Sequence, residues 1–394
     1  MADRFPIAVS QALEGLGTVI EYLEFWRRRH MKNKKNWGET KERFLGWWKH
    51  SNVDRPLMKI VAKRKTPLED LEETWEAKTP EDKHLEVERK AINLRNYCRT
   101  HDFLAESFPT LDINIGAGSM AAYLGAEPEF SWNTVWFHEC IDDWGKRGLL
   151  KYDPDNIWWK KHLEAIRRGQ ELSKGDFLVT IPDIIENVDI LSAMRGAQNL
   201  CFDMMDEPEL IKSYISQIDE LYFRYYDAFY DIVKGEDGGS SYTVFSIWAP
   251  GRIGKIQCDY SAMISPDQFR EFIVPSLRKQ CQKLDFTLYH LDGPDAIRHL
   301  DALMEIDGID ALQWTAGAGQ PDGGSEKWYP IYDKVVAVNK SLWVMFTDGG
   351  IRDWTEKADK LVKRYGPEKL YFLFPVMEEE DARTLLKKAE RDWK

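Results

Sequence analysis

Cysteine is scarce and scattered: Cys98, Cys140, Cys201, Cys258 and Cys281 are five in 394 residues, with no C-x-x-C pair among them. That excludes a disulfide framework and a zinc ribbon, and makes the cytoplasm the expected compartment. Positive charge is also short. Lys and Arg number 54 against 66 Asp and Glu, a net charge of -12, so no basic face is available to neutralise phosphates and nucleic acid is not an expected partner. The basic runs RRRHMKNKK and VAKRK are brief and read as solvated helix or loop. No eighteen consecutive apolar residues occur, so no membrane span is expected. The apolar stretch FPIAVSQALEGLGTVIEYLEFW is broken by Glu14 and Glu21 and has no basic leader; it predicts an amphipathic helix, not a signal peptide. An H-E-x-x-H zinc motif is missing too, as is a Gly-rich phosphate turn after the first strand-like run.

Aromatic residues are abundant: sixteen tryptophans point to extensive packing first and a lined cavity second. The first fifty residues read as helical up to HSNVDRP, where Pro56 closes a turn. Eight β-rich runs then recur at 57 to 62, 111 to 118, 176 to 184, 242 to 250, 285 to 293, 309 to 317, 342 to 350 and 370 to 375. Helix-periodic segments such as PDAIRHLDALMEI and DWTEKADKLVKRYG separate them. Strand and helix alternating eight times predict parallel strands with crossover helices, an α/β fold of the (β/α)8 TIM barrel type. An open doubly wound sheet is the competitor. The expected organisation is an N-terminal helical extension over 1–50 and a barrel over 51–394, with inserted helices or a lid in 126 to 175 and 185 to 241.

In such a barrel the chemistry sits at the C-terminal strand ends. The runs end there on Asn114, Asp183, Trp248, His290 with Asp292, Gln313 with Trp314, and Asp348. Asp292 in DGP and Asp348 in DGG have an ordinary reading as turn residues. His290 is harder to explain that way. Strand alternation sends His290 and Asp292 to one face and Tyr289 and Leu291 to the other, so the two ionisable groups are neighbours about 6 to 7 Å apart at the backbone. General acid–base work, metal binding with Cys258, Asp292 or Asp348, and substrate orientation all suit the pair. APGRIGKIQCDYSAM reads as a mobile Gly-rich loop carrying Arg252, Lys255, Cys258 and Tyr260. SPDQF reads as a helix start with Ser265 as N-cap.

DMMDEPELIKSYI, ISPDQFREFIVPSLRKQ and the YHLDG strand together resemble the uroporphyrinogen decarboxylase superfamily, over about residues 50 to 390. The resemblance implies a (β/α)8 barrel and one of two chemistries. For porphyrinogen decarboxylation the family carries an RQAGRY-like motif after the first strand, where this chain has LMKIVAKRKTPLED. For cobamide-dependent methyl transfer it implies zinc held by H-x-C and a later cysteine. His290 matches the first ligand, Asp292 stands at the second, and LYFLFPVMEEE offers no cysteine, leaving Cys258 or Glu378 to complete a set with His290 and Asp292.

The leading expectation from this resemblance is a corrinoid-dependent methyltransferase or O-demethylase. It would act on a small, methylated, aromatic substrate with zinc at the site and a corrinoid protein as partner, and a homodimer is the expected assembly. His290, Asp292 and Asp348 are its expected catalytic residues. Asn114, Asp183, Trp248, Arg252, Tyr260, Tyr289, Gln313 and Trp314 are the expected substrate contacts. A decarboxylase of another carboxylic acid, with Arg252 or Lys255 on the carboxylate, is the alternative; a ligand-binding barrel without catalysis is the third.

Overall fold

The computed structural model describes residues 31–394; the amphipathic helix expected over 5–26 lies outside the described residues. Fourteen strands are described: β1 (Leu57–Lys63), β2 (His101–Ala105), β3 (Thr110–Leu111), β4 (Glu127–Phe130), β5 (Val135–His138), β6 (Leu178–Val179), β7 (Ser240–Tyr242), β8 (Ile247–Ala249), β9 (Ile253–Gln257), β10 (Phe286–Asp292), β11 (Ala311–Thr315), β12 (Ser341–Met345), β13 (Leu370–Leu373) and β14 (Met377–Glu378). The main sheet runs β14-β1-β13-β12-β11-β10-β9, with parallel neighbours throughout, and β2 adds antiparallel to β1. The first strand therefore pairs with one of the last. β3 and β6 form a separate parallel pair, so among the described residues the ladders do not run unbroken around a ring. The fold is mixed α/β with a mostly parallel central sheet.

Five of the eight expected strands stand where the β-rich runs lie, at 57, 286, 311, 341 and 370. The runs at 111 and 176 shorten to two residues each. Two further readings are corrected. YTVFSIWAP is not one strand but the antiparallel pair β7 and β8, reversed at Thr243 to Ser246, with Ser246 in the left-handed region at φ 50°. The supposed mobile loop 251 to 257 contains a strand, β9, buried along its length. Its glycine is a packing residue: a Cβ on Gly254 would stand 2.3 Å from Cδ1 of Leu284, just before β10, so a larger residue would have to displace that side chain.

The register aligns Gln257 with His290, His290 with Gln313, Gln313 with Trp343 and Trp343 with Tyr371. Side chains opposite one another in a ladder share a face, so these five form one row. The β7–β8 turn packs against that row. Trp343 Nε1 donates to Phe245 O at 2.8 Å, Tyr371 Oη donates to Ser246 O at 2.7 Å, and the Phe245 ring lies 5.3 Å from His290 and 5.6 Å from Trp343. A turn has carbonyls that no strand satisfies; here buried indole and phenol groups do it. Below it, the helix Trp37–Trp48 buries Trp37, Phe44, Trp47 and Trp48, and Trp48 Nε1 donates to Trp248 O at 2.9 Å.

Helix starts follow local chemistry. Ser265 is the expected N-cap, and with Gln268 it closes a capping box, at 3.2 and 3.1 Å. The helix widens by one residue per turn over Phe269–Ile273 just before Pro275, whose missing N–H and ring bulk favour such a bulge. No helix among the described residues is long and apolar enough to cross a membrane.

Replacing Trp343 by Phe keeps an aromatic ring but removes the indole N–H and orphans the Phe245 carbonyl. Urea denaturation should show a loss of about 1–3 kcal/mol; an unchanged midpoint would mean that the indole does not anchor the turn.

Candidate active site

β9 and β10 end side by side, and the two strand ends deliver the ionisable groups. Ligand atoms of Asp259, His290 and Asp292 all lie within 4.8 Å of one another. Both carboxylates are exposed and the imidazole is half-buried, so the cluster opens to solvent. His290 and Asp292 share a face, as alternation requires, while Tyr289 and Leu291 are buried on the other.

The histidine is held by its neighbour across the ladder. Gln313 Nε2 donates to Thr315 Oγ1 at 2.8 Å, which leaves its Oε1 to bond His290 Nδ1. That assignment places the proton on Nδ1 and the lone pair on Nε2. Burial and then the Lys255 ammonium lower the His290 pKa, against smaller raising effects from Gln313, Asp259 and Asp292. Burial chiefly, with Asp259, raises the Asp292 pKa; His290 opposes it. The two carboxylates repel one another as anions, and with the imidazole at this spacing they suit a shared proton or a divalent cation.

Beneath the cluster runs a buried polar layer. Lys255 pairs with Asp183 at 2.8 Å and also donates to Gln257 Oε1. Gln257 Nε2 donates to Asp259 Oδ2 at 2.8 Å. Asp189 accepts from the N–H groups of Asp259 and Tyr260, both at 2.9 Å, and burial raises it to about 6. Burial holds Glu186 well above the usual carboxylate range. Ile185 and Asn187 have positive φ, 46° and 51°; each such non-glycine residue costs about 1–3 kcal/mol, and the β-branched Ile185 is the more strained.

Several expected contacts stand elsewhere. Tyr289, Trp314 and Cys258 are buried away from the cluster, because the alternation that turns His290, Gln313 and Gln257 inward turns their neighbours toward the helices; Trp314 packs on Trp328 with ring centroids 5.1 Å apart. The Cys258 thiol, pushed well above its ordinary pKa by burial and by Asp189, is outside the ligand group. Glu378 is also outside it, exposed beside Lys63. Arg252 binds Asp227 and lies over the Tyr226 ring. Trp248 lines a cavity of about 270 Å³ near the N-terminal end of β6, with Trp37, Lys41 and Asp237. Tyr260 donates to Ala197 O at 2.9 Å. Asn114 accepts from Gly116 N at 2.7 Å, closing its own turn. Asp348 accepts from Asp322 N at 2.8 Å, tying two loops together and not joining the cluster. His290, Asp292, Gln313 and Asp183 are brought together on the inner face.

Asp259, Asp189, Glu186 and Gln257 were not among the sequence-derived site residues. Reading IGKIQ as a strand would have placed Gln257 and Asp259 on the same side, two residues apart like His290 and Asp292.

No protein-family model matches the chain, and no curated protein does. Solved structures share its fold. A methyltransferase from Methanosarcina mazei aligns over 89% of this chain and 98% of its own, with TM-score 0.57 and 15% identity. At that identity the likeness carries the fold alone.

Asp292 helps to hold a proton on His290. In Asp292→Asn, the His290 pKa followed by NMR should fall further below 6.5, its unfolded value; an unchanged or higher pKa would mean that the two groups do not interact.

Proposed function

We propose that the protein is a methyl-group transferase of (β/α)8 barrel type, taking a methyl group from a small methylated compound, an aromatic ether first, and passing it to a corrinoid carried by a partner protein. The observation that carries this reading is the convergence of Asp259, His290 and Asp292 within 4.8 Å at adjoining strand ends. The methyltransferase fold of the neighbouring structure supports it. Residues 1–50 are taken as an extension and the rest as the barrel, in a cytoplasmic protein that assembles as a homodimer.

The donor set fits a divalent cation. One imidazole nitrogen and two carboxylate oxygens are acceptable to zinc, harder than a cysteine-containing set, and also suit manganese or iron. Asp259, His290 and Asp292 would hold the ion, which when bound polarises the oxygen bearing the methyl group. Gln313 fixes the imidazole so that Nε2 faces the ligand. Asp292, ionised as a ligand must be, would complete the donor set with Asp259. Phe245 covers one side of the imidazole and excludes water from it.

The second reading is a decarboxylase. It is favoured by Lys255, a buried ammonium on the inner face, and not by Arg252, which is committed to Asp227. Substrate carboxylate would then have to compete with Asp183.

Purified protein should bind zinc, and His290→Ala should lose it. Methoxylated aromatics should lose CH2 in mass spectra only when a corrinoid protein is present, with turnover falling at least about 100-fold in His290→Ala. Loss of CO2 without a corrinoid protein would favour the decarboxylase. Unchanged turnover in both His290→Ala and Asp292→Asn would overturn a catalytic role for the cluster.

A further inference from the structure

Glu186, Asn187 and Asp189 do no chemistry in this account, yet their side chains meet on one edge of the sheet. β9 ends the main ladder, so the backbone groups on its outer side have no strand from that ladder to pair with. Side chains take that place. Glu186 Oε1 accepts from Gln257 N at 2.8 Å, and Asn187 Nδ2 donates to Gln257 O at 3.0 Å. Asp189 then takes the next two amides: Oδ2 accepts from Asp259 N and Oδ1 from Tyr260 N, both at 2.9 Å. Gln257 Nε2 spans Asp189 Oδ2 at 3.3 Å and Asp259 Oδ2 at 2.8 Å, linking the grip on the backbone to the carboxylate itself.

Capping a sheet edge needs only a short polar side chain. This arrangement goes further, because Glu186 and Asn187 are fully buried and the chain takes a left-handed conformation at both Ile185 and Asn187 to present them. Such strain persists where surrounding structure enforces it, and it gathers at functional sites. What it enforces here is the place of Asp259. That residue lies at the start of a short 3-10 turn with an exposed side chain, and an exposed carboxylate must give up rotamer and backbone freedom to bind an ion.

We propose that Glu186, Asn187 and Asp189 form a clamp that pre-sets Asp259 for the cation, with Asp189 the principal positioning residue. The proposal rests on the cation reading given above. It deepens that reading by assigning the site's affinity to residues that touch no substrate and no ion.

Asp189→Asn tests it, since an amide offers one acceptor oxygen where three donors converge. On the full chain, zinc affinity is measured by competition with a chromophoric chelator, and amide exchange over 257–262 by mass spectrometry. Asp189→Asn should weaken zinc binding about 10- to 100-fold, the usual effect of losing an outer partner, and speed exchange at Asp259 and Tyr260. On an Asp259→Asn background the same change should add less than about 2-fold, because a residue acting through another is not additive with it. An equal loss on both backgrounds would overturn the clamp, as a general structural role predicts that result. Should Asp189→Asn not fold, Asn187→Gly keeps the left-handed backbone and removes the donor to Gln257 O together with the Oδ1 that accepts from Asp189 N at 3.4 Å; it should speed exchange and weaken zinc, and no change in either overturns the clamp. Wild-type protein that binds no zinc defeats the cation reading instead. Exchange then decides the clamp alone, which fails if Asp259 and Tyr260 exchange as in the wild type.

Discussion

The pleat fixes what this site is made of. Five parallel strands in one register put Gln257, His290, Gln313, Trp343 and Tyr371 in a single inward row, and the same alternation sends Ile256, Tyr289, Leu312, Leu342 and Phe372 to the helices. A slip of one residue in β9, β10 or β11 would exchange a polar side chain of the row for a largely apolar one. Register is therefore protected on both faces, by a buried apolar layer outside and by hydrogen bonds inside.

The inner row is polar at one end and aromatic at the other, and each half does different work. Trp343 and Tyr371 satisfy carbonyls of the β7–β8 turn, which brings Phe245 against His290. Gln257 and Gln313 use amide groups to hold Asp259 and His290. An amide both donates and accepts, so one side chain orients a ligand and is itself oriented by the next. The tryptophan wealth of the chain is explained more by this donor role and by packing than by a stacked substrate.

The repeating strands are legible in the sequence because short, mostly apolar runs stand at 57, 286, 311, 341 and 370. His290 and Asp292 were legible as a pair because a period of two needs no tertiary information. β9 is hidden by its own composition: Gly251, Arg252, Gly254 and Lys255 look like a solvated loop, although Gly254 packs against Leu284 and Lys255 is neutralised by Asp183. With that strand missed, Asp259 had no face and Cys258 took its place among the candidate ligands. Tyr289 and Trp314 were expected at the substrate even though the alternation that favoured His290 and Gln313 placed them opposite. YTVFSIWAP reverses at Ser246 without a glycine, a turn that local propensity does not announce. Asp189 and Glu186 act on β9 from some seventy residues away, and no spacing rule reaches that far.

The central claim is that Asp259, His290 and Asp292 form one cation site. The most direct measurement is anomalous diffraction from crystals grown with zinc, collected on both sides of the zinc edge. The account predicts a single strong peak among these three side chains, absent from His290→Ala crystals. A peak on Cys258 or Glu378 instead, or none between the three residues in fully occupied wild-type crystals, would contradict it.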